Sequence, residues 1–315
     1  MNIVLVVCKA FFVPLILNII LLVMRFKIWK NWLIFGSFSF FWSVLMLMYT
    51  DWSLISQYLR IAMMCFLPIA ILVSFWRHRG ISWEYKKRPP FLSFLRWLLI
   101  IPGILLVVVT VLRVTTVFFD SQSNREAVQI KFPLRGGIYS ISHGGNSSAL
   151  NYHYEYPSQK YAIDIVKLNI WGISKRNFLM SRNLDDYVIY SEPVYSPVYG
   201  KVVKVVDGMS DAFKTGPLST RSNMVVIEYK DFYILLLHLK KGSIQIKEGD
   251  LVEAGQKIGK VGNSGYSTEP HLHIHAIKKT EGKNEEFRGP SVPLVVDGTQ
   301  LKRNDLILNE RILFR

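Results

Sequence analysis

Pro270-His271-Leu272-His273-Ile274-His275 places an imidazole at every second residue. In an extended strand this spacing projects His271 and His273 from one face, roughly 6.6 Å apart at ~3.3 Å rise per residue. One imidazole of such a pair can ligate a metal while the other stands over a metal-bound water. Zinc suits the arrangement, because it accepts neutral imidazole and carboxylate, keeps one position for water and lowers the pKa of that water to about 7. His275 shares the face but lies another ~6.6 Å along the strand, too far to join the shell of a metal held by His273. Paired strand histidines are weak evidence alone, since many are ordinary exposed residues.

Outward from this stretch the chain reads as β-structure. Short β-prone runs, Pro193 to Val206, Asn223 to Tyr229, Phe232 to His238, Val252 to Val261 and His271 to Ile277, are punctuated by Gly, Pro, Asn and Asp. That pattern predicts an antiparallel, all-β domain, with a hairpin turn at Lys230-Asp231. Within Gly242 to Val261, the turns at Gly249-Asp250, Gly255-Gln256 and Gly259 are like those of barrel-sandwich modules that carry lipoyl or biotinyl groups. No lysine stands in a carrier context. Six of the seven histidines fall in this half: His143, His153, His238, His271, His273 and His275.

Val261-Gly262-Asn263-Ser264-Gly265 followed by Pro270-His271-Leu272-His273, and preceded by His238-Leu239 at the end of an apolar run, resembles the lysostaphin/LytM family of zinc endopeptidases that cut bacterial cell-wall peptides. Pro197-Val198-Tyr199-Gly200-Lys201-Val202-Val203 is similar to the family's strand before a glycine-turned hairpin. The similarity runs from about Gly136 to Asn304, including Val292-Pro293 and Asp297-Gly298, and covers little more than half the chain. It implies a lysostaphin-like fold of the barrel-sandwich type, with His273 as a zinc ligand and His271 and His238 as catalytic residues.

The family's other ligands usually come from an upstream H-x-x-x-D. Here the aspartate is Asp164, in Tyr161-Ala162-Ile163-Asp164-Ile165, but Lys160 stands four residues before it. An ammonium cannot ligate zinc. The resemblance to members with an upstream Asn-x-His and a Gln-x-Tyr-Ala-x-Asp segment, matched by Asn151-Tyr152-His153 and Gln159 to Asp164, implies His153 as the third ligand. His143, or no third ligand at all, are the alternatives. Tyr152, Tyr154, Tyr156 and Tyr161 are candidate hydroxyl donors to a tetrahedral oxyanion, and nothing in the sequence selects among them.

The first half is of another kind. Of 38 Lys plus Arg and 23 Asp plus Glu, the first 119 residues hold 12 basic side chains and two acidic ones, Asp51 and Glu84. Four apolar stretches, about 10 to 24, 32 to 50, 61 to 76 and 97 to 112, each approach the ~20 residues of a bilayer span when interfacial Lys9, Arg60 and Arg113 are included. The predicted organisation is therefore an all-α transmembrane region of about four helices over residues 1–119, a linker over 120–133 and the β domain over 134–315. Arg25, Lys27 and Lys30 follow the first stretch, and Arg77, Arg79, Lys86, Lys87, Arg88 and Arg96 separate the third from the fourth. Basic loops are cytoplasmic, so four spans put the amino terminus and the β domain outside. Topology accounts for this charge, and no nucleic-acid partner is expected. Cys8 and Cys65 lie in apolar stretches, so the polar half has neither a disulfide nor a thiolate metal site.

These expectations define a multi-pass protein of a bacterial cell membrane, bound to Zn2+ through His153, Asp164 and His273. Its extracytoplasmic domain would hydrolyse cell-wall peptide, with His238 and His271 handling the proton of the attacking water. The rival is a non-catalytic domain of the same fold that binds and activates a partner hydrolase. Lys160 favours the rival; retention of Asp164, His238, His271 and His273 opposes it. A transporter or sensor is disfavoured because few ionisable residues interrupt the apolar runs.

Overall fold

A computed structural model describes residues 3–81, 126–176, 183–213, 221–280 and 289–314, together with 101, 103–105, 107–112, 115 and 287. The chain divides into two compact units, Met1–Phe119 and Asp120–Arg315.

In the first unit, Ile3–Val23, Trp29–Tyr49 and Gln57–His78 are helices long and apolar enough to cross a membrane. Three such helices are found among the described residues where four were expected. The stretch 97–112 lies partly outside those residues, where a shorter apolar helix, Gly103–Leu112, is found. Lys86, Lys87, Arg88, Arg96 and Arg113 also lie outside them. The first helix starts earlier than its apolar stretch suggests and contains a π-helical turn, Cys8–Phe12. The few polar side chains turn inward and pair. Asn18 Nδ2 donates to Pro14 O at 2.8 Å and Ser43 Oγ at 3.1 Å, while Ser39 Oγ donates to Asn18 Oδ1 at 3.2 Å. Trp32 Nε1 donates to Ser74 Oγ at 2.8 Å. Where neighbouring lipid is as apolar as the side chains, such bonds and close packing hold helices together.

The second unit is built of strands β1 (Val128–Ile130), β2 (Ile138–His143), β3 (Ile163–Leu168), β4 (Pro193–Tyr195), β5 (Gly200–Val206), β6 (Met224–Tyr229), β7 (Phe232–Leu237), β8 (Leu251–Val252), β9 (Lys257–Lys260), β10 (Leu272–Lys278), β11 (Ser291–Val292), β12 (Leu294–Val296), β13 (Thr299–Gln300), β14 (Leu306–Leu308) and β15 (Arg311–Phe314). The large sheet runs β15-β14-β2-β3-β10-β7-β6-β5-β8, with β11 beside β10, and its neighbours are antiparallel. Lys230-Asp231 turns the β6–β7 hairpin, with Tyr229 opposite Phe232. Period-two alternation is legible on β10: Leu272, Ile274 and Ala276 are fully buried in the core with Ile234, Leu236 and Ile165, while His273 and His275 occupy the other face.

Two expectations need correction. The stretch read as a linker includes β1, which pairs with β12 in parallel, and Val128, Ile130 and Phe132 are core residues. Mixed polar sequence around a three-residue strand hid it, since so short an apolar alternation has no period to detect. Pro193 to Val206 is not one run but two strands in different sheets, β4 pairing with β9 and β5 with β6 and β8. The chain changes sheet over Ser196 to Tyr199, where Pro197 donates no ladder hydrogen bond.

Candidate metal centre

One row of the large sheet assembles the site. His273 on β10 is the Cα partner of Asp164 on β3, and Asp164 is the partner of His143 on β2 beside a bulge. Opposed residues on neighbouring strands share a face with Cβ atoms ~4.5–5.5 Å apart. Ladder register therefore sets a carboxylate between two imidazoles. Beyond β10, His273 opposes Leu237, the last residue of β7, and His238 leaves the strand with φ 62°. A left-handed conformation is uncommon outside glycine. Here it accompanies a close histidine cluster: the His238 ring centre lies 4.7 Å from that of His271 and 5.8 Å from that of His273.

The surrounding hydrogen bonds over-determine that turn. His238 Nδ1–H donates to Ser264 O at 2.7 Å, and Ser264 Oγ donates to Leu239 O at 2.8 Å while accepting from the Asn223 N–H at 3.0 Å. Asn223 Nδ2 also donates to Leu239 O at 3.0 Å and Met209 O at 2.8 Å. Gly262 is required by proximity, since a Cβ there would stand 2.5 Å from the backbone nitrogen of Lys240. Gly262-Asn263-Ser264-Gly265 thus brings chain against the His238 turn and fixes its tautomer, with Nε2 left as the unprotonated atom. His271 is set in the same way: its Nδ1–H donates to Glu269 O at 2.9 Å, and Nε2 lies 3.6 Å from Asp164 Oδ1.

His153 reaches the row from a short helical turn, Tyr152–Glu155. Asn151, fully buried, makes this geometry: its Oδ1 accepts from the His153 N–H at 3.0 Å, and its Nδ2 donates to the carbonyls of Ala162 at 3.0 Å and of Gly145 and Lys160 at 3.3 Å. One amide ties the loop to both flanking segments. His153 Nε2–H then donates to Asp164 Oδ2, and His273 Nδ1–H to Asp164 Oδ1, each at 2.8 Å. Lys160 is turned elsewhere, its Nζ standing 4.5 Å over the Tyr154 ring and 5.6 Å from the centre of Tyr161. The hydroxyls of Tyr152 and Tyr156 pair with each other at 3.2 Å.

Burial disfavours charge on Asp164, but His153 and His271 beside it, with the hydrogen bonds from His153 and His273, hold it well below the usual carboxylate range. Burial also works against protonation of His153, and the Asp164 carboxylate overcomes it and raises the pKa. His273 is lowered to about 4 by burial despite Asp164, and His238 is pushed well down by burial and by His271 and His273. Asp164 and His273 therefore present an ionised carboxylate and a neutral imidazole, the protonation states a metal needs of its ligands, whereas His153 gives up a proton to join them.

Among the described residues, two groups of side chains have potential ligand atoms within 4.8 Å of one another: His153, Asp164 and His273; and His238, His271 and His273. The first fits zinc. Two imidazoles and a carboxylate leave one of four positions open, and bonds of ~2.0–2.1 Å would separate ligand atoms by roughly 3.3 Å, close to the 2.8 Å now spanned by hydrogen bonds. His143 belongs to neither group.

His275, expected too far along the strand to join the shell of a metal at His273, is only 3% exposed, and its Nδ1 lies 3.0 Å from His273 Nε2. A metal at His273 Nδ1 requires the proton on Nε2, and His275 Nδ1 is then its acceptor. Partners of this kind are worth ~10–100-fold in metal affinity. His275→Ala is accordingly expected to weaken zinc binding by about that factor in a chelator competition; unchanged affinity would remove His275 from the metal's support.

The profile of peptidase family M23 matches residues 184–285. This segment is an M23 peptidase domain. The match includes His238, His271 and His273, whereas His153 and Asp164 precede it on the loop and strand that complete the row. The peptidoglycan DD-endopeptidase ShyA of Vibrio cholerae is 37% identical over 89 residues, 28% of this chain and 19% of that protein. The glycyl-glycine endopeptidase ALE-1 of Staphylococcus capitis is 46% identical over 48 residues, 15% of this chain and 13% of its own length. The chain thus spans less than a fifth of either relative. Among solved structures, a zinc-containing peptidase from Vibrio cholerae is similar at 25% identity and a TM-score of 0.30, over 48% of this chain and 37% of that one.

Proposed function

We propose that the protein is a membrane-anchored zinc endopeptidase that hydrolyses peptide bonds in bacterial peptidoglycan. The supporting observation is the convergence on Asp164 of His153 and His273, with Nε2 of His271 3.6 Å from that carboxylate and the His238 ring beside His271. His153, Asp164 and His273 would hold the metal, which when bound would supply Lewis-acid polarisation of the scissile carbonyl and a lowered pKa for water. His271 Nε2 accepts the proton of the attacking water and passes it to the leaving amine. His238 Nε2, with its ring against His271, orients that water. Both bases are held in the useful tautomer by carbonyl acceptors, Glu269 O and Ser264 O. The rival reading, a non-catalytic activator, drew on Lys160, and the turning of that side chain toward Tyr154 leaves His153 free to serve. Incubating the purified, zinc-loaded full chain with peptidoglycan and analysing released fragments is expected to show newly exposed peptide termini. An intact polymer, with stoichiometric zinc bound, would favour the rival.

The reading also places the M23 domain outside the cytoplasm and the helical unit in the membrane. Protease added to intact spheroplasts is expected to remove the domain while leaving the helices, and complete protection would reverse the orientation drawn from the basic loops.

A further inference from the structure

The mechanism just described leaves one histidine of the row unused. His143 is the Cα partner of Asp164 on the strand side opposite His273, so it borders the proposed ligands in the sheet. Its ring centre lies 5.9 Å from that of His153 in an edge-on arrangement. Two donors converge on its Nδ1: Arg303 Nη2 at 2.7 Å and the Tyr152 N–H at 3.2 Å. Arg303 is itself anchored, with Nε donating to Ser142 O at 2.8 Å and Nη1 to Ala149 O at 3.4 Å.

Neither a guanidinium nor a backbone N–H can accept a hydrogen bond. Nδ1 is therefore an acceptor and the ring proton sits on Nε2, a tautomer fixed by geometry. Among the described residues no partner takes up that Nε2–H. The fold thus commits a half-buried arginine to presenting one neutral N–H donor beside a metal site whose other histidines are proposed as ligands, bases or a ligand's support. A neutral donor serves where negative charge develops on an oxygen, since it stabilises that charge without losing its own proton.

Resting on the peptidase reading above, we propose that His143 is a further catalytic residue, donating from Nε2–H to the carbonyl oxygen of the scissile peptide as it becomes an oxyanion. Arg303 is its positioning residue. This assigns to an imidazole the donor role for which the nearby tyrosines were candidates.

Asparagine and glutamine separate the two ends of the ring. In His143→Asn the side-chain oxygen replaces Nδ1 and keeps the Arg303 contact, but no donor stands at Nε2; in His143→Gln the amide nitrogen reaches that position. Removing one oxyanion donor typically costs ~100- to 1,000-fold in turnover. At saturating dye-labelled peptidoglycan, the zinc-loaded full-length Asn variant is expected to lose activity by about that factor with wild-type zinc content, and the Gln variant to recover most of it. Side-chain 15N–1H correlation spectra of the wild type should show His143 protonated at Nε2 and bare at Nδ1. The proposal is overturned by an Asn variant as active as wild type, by a Gln variant that falls as far, by loss of zinc in either, or by a proton on Nδ1. A wild-type protein that holds zinc and releases nothing would instead sink the peptidase reading on which the proposal rests.

Discussion

His273→Ala protein is expected to retain no zinc after dialysis against a weak chelator and to release no peptide from peptidoglycan. Three protein ligands are the minimum that leaves zinc one open position, and this substitution leaves two. Outer partners of a ligand are already worth ~10–100-fold in affinity, so removal of the ligand itself exceeds that. Asp164→Ala is expected to do the same and to do more locally, because the carboxylate receives bonds from both His153 and His273. Neither change touches the apolar face of the sheet, where Ile165, Ile274 and Leu236 pack. Circular dichroism should therefore report a folded protein without metal. Stoichiometric zinc in the His273→Ala protein would overturn the ligand set.

His271→Ala and His238→Ala proteins are expected to behave differently: zinc stays and hydrolysis falls by ~100- to 10,000-fold, the usual worth of a positioned proton acceptor. Both rings direct Nδ1–H to a backbone carbonyl, which commits Nε2 to the base role. The two losses should not multiply in the double variant, since residues acting on one water act as a unit. His238→Ala carries a structural consequence as well, because an alanine inherits a backbone at φ 62°; His238→Asn, a residue that tolerates this conformation, separates strain from chemistry. The assignment fails if the His271 variant loses zinc while the His273 variant keeps it.

Much of the site was legible because strand period and ladder register are simple. Alternation on Pro270 to Ile277 put His271 and His273 on one face, and the structure adds that Asp164 stands directly across from His273. What stayed hidden depends on partners distant in sequence. Asn223 supports the His238 turn from 41 residues before Ser264, and Arg303 reaches His143 across 160 residues. No local pattern announces either. Asn151 was visible in Asn151-Tyr152-His153 as wording, while its function, a cap that also ties Gly145, Lys160 and Ala162, needed the loop closed. The helical unit was legible as apolar length, and its inward pairing of Asn18 with Ser39 and Ser43 was not.

The origin of the three proposed ligands has a consequence for how such sites diverge. Two are welded to adjacent strands, where a one-residue slip would send them to the opposite face, whereas His153 is delivered by a loop tethered through one asparagine. The sheet half of the proposed set is fixed by register, whereas the loop half is not: the imidazole the resemblance expects four residues before the aspartate and the one proposed eleven before it would each leave the strands as they are. On the proposed ligand set Lys160 has no metal to hold, and loops of different length in this position become exchangeable parts around one unchanged carboxylate–imidazole pair.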